Sequence, residues 1–236
     1  MFGGEEARRV YEERGRRFQG VADKLNCEFL MCDSNMNEFL HQKHEMTHVF
    51  RTLSIPLALQ KMFKLYYFAS SYEYNEFKFS AFDPSHYDIL TLPNLSNQNI
   101  RFELVGGETT RQGKVSYISE FPVTYEELNT CINGVTNCCT CRKCRRTMLN
   151  LYLAGKIDDY KPVYDVDWFY ANKRKLVRWS LMNFWRVDMP EIIRGLQSKG
   201  EIHGLDYIRS AIEFPVSFSK QAVGKLKFKR QAKRDH

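Results

Sequence analysis

Four cysteines, Cys131, Cys138, Cys141 and Cys144, follow one another as C-x6-C-x2-C-x2-C. Thiolates are soft ligands, and two intervening residues allow a tight turn that aims both sulfurs at one ion. Three cysteines in this register can wrap a zinc ion, and the fourth can close a tetrahedral shell at about 2.3 Å. Four thiolates leave no open position, so the expected site is structural, not catalytic. An iron–sulfur cluster would use the same donors. Arg142, Lys143, Arg145 and Arg146 supply cations against the negative charge of a metal tetrathiolate. Cys139 adjoins Cys138 and cannot easily reach the same ion, so it reads as a spare thiol. Cys27 and Cys32 lie on an apolar run and read as core residues.

Two further groupings could do chemistry. His44-Glu-Met-Thr-His48 has the form H-E-x-x-H. On a helix it places two imidazoles on one face, with Glu45 set to activate a metal-bound water. A zinc metallopeptidase is therefore an alternative function. Glu73 or Glu76 would be the third ligand, and His41 lies on nearly the same face. The plainer reading is a solvated, histidine-rich helix start. Gly106-Gly107 leads into Thr109, Thr110, Arg111 and Lys114, a polar loop that suits an anion or is simply a surface turn. Arg111 and Lys114 are the candidates for binding a nucleotide or other anionic small-molecule substrate.

Several elements must position these residues. Val10, Phe18, Val21 and Leu25 fall at helical spacing over residues 5–25. Cys27–Asp33 predicts a short buried strand, and a second helix is expected from about Glu38 into the sixties, disturbed near Pro56. Leu65–Ala69, aromatic and continuous, predicts another strand. Alternating helices and strands imply crossover units on a parallel sheet. Residues 70–130, rich in Ser, Asn, Tyr and Phe, read as loops with short strands. Helices are expected from Thr147 to Ala154 with Gly155 as C-cap, from the capped start at Asp188 to Gly200, and from His203 to Phe214.

The chain has 236 residues, a net charge of +7, 43% apolar and 27% charged residues, which excludes a disordered or fibrous chain. No apolar stretch is long enough to span a membrane, and the N-terminus lacks the apolar core of a secretory signal. The expected location is cytoplasmic, where disulfides are disfavoured. From Lys220 to the end seven bases meet one acid, Asp235, so six of the seven net charges sit in that tail. Contact with nucleic acid through Lys220–Arg234 and the arginine-flanked knuckle is a third functional class.

From Asn137 to Met148 the chain reads N-C-C-T-C-R-K-C-R-R-T-M. With the earlier Cys131, this resembles the zinc segment of the PP-loop ATPase superfamily, in particular proteins like 7-cyano-7-deazaguanine synthase. The resemblance covers Cys131, Asn137, Cys138, Cys141, Cys144, Arg146 and Thr147, with Cys139 where the family has glycine. Ser70-Ser71 after a strand and Arg111-x-x-Lys114 are similar to family loops. The resemblance implies an α/β fold: a partial Rossmann-like parallel sheet over residues 1–130, a four-cysteine zinc knuckle with C-terminal helices over 131–219, and a basic tail over 220–236. It implies Zn and ATP as cofactors, and adenylation of a substrate for amide, nitrile or thiolation chemistry. The family's phosphate loop, Ser-Gly-Gly-x-Asp-Ser, has no counterpart here. Gly3-Gly4 follows no strand and leads into Glu5-Glu6, which would repel phosphates. The chain is then expected to be incomplete at its start, or a degenerate or partner-dependent relative, with a protein partner or a homodimer.

Overall fold

The structure is a computed structural model and describes residues 4–214. The basic run Lys220–Arg234 lies outside the described residues. The chain forms two compact units that divide between Lys114 and Val115, ahead of the cysteine cluster. Its described part is mostly helical, with one two-stranded parallel sheet. No described helix is long and apolar enough to cross a membrane.

The first unit begins with α1 (Gly4–Lys24), held along its length by pairs such as Arg9–Glu13 at 3.0 Å. It buries Val10 and Ala22, whereas Phe18 and Leu25, expected on the buried face, are each 53% exposed. The reason lies in the next segment. Cys27–Asp33 is not a strand but a loop, because a strand needs a neighbour for its N–H and C=O groups. The two described strands pair only with each other. Without a sheet beside it, α1 sets Phe18 only against Phe29 of that loop, with ring centres 6.4 Å apart, and much of the ring stays exposed. Cys27 is accordingly exposed and Cys32 half-buried, so neither is a core residue.

The expected second helix is two: α2 (Met36–Phe39) and α3 (His44–Ala58), with Pro56 buried in the last turn of α3. Strand β1 (Leu65–Ala69) forms as its sequence predicts. Residues 70–130 are more helical than expected. The Asp83 carboxylate accepts the Ser85 N–H, starting a 3-10 turn, Pro84–Tyr87, that runs into α4 (Asp88–Leu95). The chain then returns as β2 (Arg101–Val105), parallel to β1 with Leu65 opposite Arg101 and Ala69 opposite Val105. This strand–helix–strand crossover packs Val49 and Leu53 of α3 with Leu92, Ile100 and Phe102. Helix α5 (Arg111–Ile118) follows.

Asp88 opens α4 with a side chain only 1% exposed and no hydrogen bond to either carboxylate oxygen. Burial, with repulsion from Asp83 and partial relief from His48, pushes its carboxyl up to about 6. The folded form therefore holds a proton that the unfolded chain releases near pH 4, and stability falls as pH rises from about 4 to 6. Asp88→Asn is expected to raise stability at pH 7 by about 2–3 kcal/mol and to flatten that pH dependence. Urea unfolding at pH 4 and pH 7 checks this, and equal stability of both proteins at pH 7 would contradict it.

The second unit contains α6 (Val123–Glu127), α7 (Arg142–Leu153), α8 (Val166–Leu181), α9 (Met189–Ser198) and a helix α10 over residues 204–214. Gly155 ends α7 at φ +74°, a conformation that suits glycine. The core joins Met148, Leu149 and Leu151 of α7 to Phe169, Leu176 and Val177 of α8 and to Met189, Ile192 and Leu196 of α9. Glu201 accepts hydrogen bonds from Tyr152 and Lys173, fastening the chain after α9 to both other helices.

Candidate metal centre

The C-x6-C-x2-C-x2-C spacing does bring its sulfurs together. The Sγ atoms of Cys131, Cys138, Cys141 and Cys144 all lie within 4.8 Å of one another. Tetrahedral corners about 2.3 Å from a metal stand about 3.8 Å apart, so a small contraction would complete the shell. The two-residue spacings have a specific consequence. Each aims the backbone N–H three residues on at the preceding sulfur: Cys141 N–H to Cys138 Sγ at 3.3 Å, Cys144 N–H to Cys141 Sγ at 3.5 Å. Cys131 Sγ accepts from Asn133 N–H at 3.3 Å. Cys141 is also the N-cap of α7, so a thiolate there faces the positive end of the helix.

These donors stabilise negative sulfur unevenly. Burial works against ionisation of Cys138, but hydrogen bonds from Thr140 and from the Cys141 N–H outweigh it and bring the thiol down to about 6. Burial, and then its hydrogen bond to Cys141, pushes the Cys144 thiol up. A dication supplies the charge that lets all four sulfurs ionise together. Donor type, number and spacing thus fit one metal ion, and the four cysteines could hold it.

One amide braces the loop. Asn137 Nδ2 donates to the carbonyls of Leu128 (2.8 Å) and Val163 (3.1 Å). Its Oδ1 accepts from Thr130 N–H (2.9 Å) and Cys144 Sγ–H (3.8 Å). Cys139 stays outside the quartet. It is buried, its Sγ accepts the Asp165 N–H at 3.2 Å, and burial raises its thiol. Its φ of +58° is a left-handed conformation that costs a non-glycine residue roughly 1–2 kcal/mol.

The basic residues beside the cysteines have divided roles. Arg146 pairs with Asp188, which the sequence marks only as a helix cap, and Arg145 lies over the Trp179 ring at 5.9 Å. Arg142 and Lys143 are exposed. Burial and the neighbouring Arg142 lower the Arg186 guanidinium from its ordinary value.

The H-E-x-x-H residues occupy the first turns of α3, as a helix. Their imidazoles, however, are 5.4 Å apart between ring centres, and His48 is engaged elsewhere. Its Nδ1 bonds the Glu45 carbonyl at 3.1 Å, so in the neutral ring that nitrogen carries the hydrogen and Nε2 accepts from Ser85 Oγ at 2.7 Å. Among the described residues, the four cysteines are the only group of three or more His, Cys, Asp or Glu placed to hold a metal. Glu73 and Glu76 instead cap their own 3-10 turn, Tyr74–Glu76.

Arg111 and Lys114 converge on the end of β1. Lys114 Nζ donates to Ser70 O (3.0 Å) and bonds Ser70 Oγ (2.6 Å), and Arg111 donates to Ser71 O (3.1 Å). Burial, with repulsion from Arg111, lowers the Lys114 ammonium from its ordinary value. Gly106, at φ +79°, lets the β2 end approach this lysine, since a Cβ there would sit 3.2 Å from Lys114 Cε. The two cations and Ser70 therefore share one end of the sheet, beyond the carboxyl ends of parallel strands.

Compared with known proteins, the chain matches no family model, no curated protein and no solved structure.

Proposed function

We propose that this is a zinc-containing, PP-loop-ATPase-like protein in which Cys131, Cys138, Cys141 and Cys144 hold a structural Zn²⁺. The observation that carries the reading is the quartet of sulfurs within 4.8 Å, supplied with N–H donors and built into the start of α7. The bound ion would supply a fixed crosslink between the Cys131 loop and α7, with no open position for a substrate.

The nucleotide part of the reading concerns the first unit. The carboxyl ends of parallel strands are where open α/β folds place their ligands. Here the Gly106-Gly107 turn joins β2 to α5, and Arg111 and Lys114 add two cations. Backbone N–H groups at such a turn favour phosphate oxygens. In this reading the site takes the phosphates of ATP, and the reaction class is adenylation of a substrate together with a partner chain, within a partial Rossmann-like domain. Lys114→Ala is expected to weaken binding of MgATP about tenfold or more by titration calorimetry, a cation-to-phosphate bond being worth about 1.5–3 kcal/mol. Wild-type protein that takes up no nucleotide, or a variant with unchanged affinity, would overturn the nucleotide part and leave the zinc part standing.

A further inference from the structure

The connection between α8 and α9 exposes two aromatic rings beside an arginine, Arg186. Phe184 and Trp185 are 58% and 43% exposed and meet edge to face at 5.5 Å, and Trp185 also meets Phe214 edge to face at 5.3 Å, which leaves Phe184 the more open ring. The next residue, Arg186, is steadied by its Nε donating to Asn183 Oδ1 at 2.9 Å. Arg142 opens α7 one turn before Arg146, whose guanidinium pairs directly with Asp188, two residues beyond Arg186. Lys143 adds a further exposed cation. Arg142 and Lys143 lie between Cys141 and Cys144, in the first turn of α7.

We propose that Phe184, Trp185 and Arg186, with Arg142 and Lys143, form a binding surface for single-stranded nucleic acid. Exposed rings offer faces on which unpaired bases stack, and guanidinium groups meet the phosphates between them. A duplex conceals the base faces and could use only the cations. An acidic peptide would likewise leave the rings idle. A second copy of the same face would set arginine against arginine. The surface adds a polynucleotide partner to the zinc reading and shares with it only the start of α7, which carries Arg142 and Lys143.

The test is fluorescence anisotropy of a labelled single-stranded oligouridylate of about 12 nucleotides with the full chain, at salt between about 50 and 200 mM. Phe184→Ala and Trp185→Ala are each expected to weaken binding about tenfold, with Trp185→Phe retaining most of it. Arg142→Ala combined with Arg186→Ala should reduce the slope of log affinity against log salt by about 1.4, the value for two phosphates on a single strand. Arg101→Ala, which removes one positive charge on the other unit, should change little. The Lys220–Arg234 tail is common to every variant, so the differences report this surface. Unchanged affinity on loss of either ring in protein of normal helicity would overturn the proposal. Equal binding of a duplex, or equal competition by polyglutamate, would also overturn it, pointing to a charge patch without stacking. Metal analysis of the same samples separates failure of this surface from failure of the zinc reading.

Discussion

Cys141→Ser is expected to cost the second unit its fold as well as its metal. In the proposed reading Cys141 is a ligand, and it is also the N-cap of α7 and the acceptor of the Cys144 N–H. Its neighbours leave little to compensate. Cys144 is fully buried beside Met148 and Leu149, in the cluster that anchors α7 to α8 and α9. Structural zinc contributes apparent binding energies of about 10–16 kcal/mol in small peptides, comparable with the whole net stability of a domain at about 5–15 kcal/mol. Loss of one ligand should therefore bring a large fall in far-UV helical signal, and chelation of the wild type should do the same. Cys139→Ser, one residue from a ligand but outside the quartet, should keep the metal and lose only modest stability. A folded, metal-free Cys141→Ser protein would contradict the structural role.

Arg146→Ala should produce the next largest effect. Its guanidinium and the Asp188 carboxylate are 12% and 11% exposed, and they tie α7 to the start of α9. Burial works against ionisation of Asp188, but the Arg146 hydrogen bond and charge, helped by Arg142, outweigh it and hold the carboxyl below its ordinary value. Removing Arg146 leaves a nearly buried carboxylate without its main partner, which typically costs about 3–5 kcal/mol. A depressed carboxyl contributes stability that is present above the unfolded value near pH 4 and is lost as pH falls through the folded value. Urea unfolding at pH 7 should accordingly show the full loss, and a smaller one as the pH falls below the unfolded carboxyl value near 4. Arg146→Ala with Asp188→Asn should recover much of the stability. A single-variant loss under about 1 kcal/mol at pH 7 would show the pair to be solvent-screened instead.

The contrast between these residues shows what the sequence could reveal. The four cysteines were legible because their geometry is local: the two-residue spacings alone set the turns and the N–H···S bonds. Asn137 was legible only as part of a motif, since its partners at Leu128 and Val163 come from separate segments. Arg146–Asp188 and Lys114–Ser70 span 42 and 44 residues, so no local pattern could announce them. The H-E-x-x-H run does lie on a helix, yet its chemistry depends on where the ring points, and His48 goes to Ser85, 37 residues away. Among the strands, Leu65–Ala69 declared itself by aromatic content. Arg101–Val105 did not, because Arg101 and Glu103 interrupt its apolar residues while Phe102 supplies the burial. Cys27–Asp33 had strand composition without a strand's partner, and hydrogen bonding decided against it.

X-ray absorption at the zinc edge of the purified full chain tests the central claim most directly. The expected result is about one zinc per chain, with four sulfur neighbours near 2.3 Å and no lighter ligand. A stable, metal-free chain, or a zinc ion bound through nitrogen and oxygen, would contradict it.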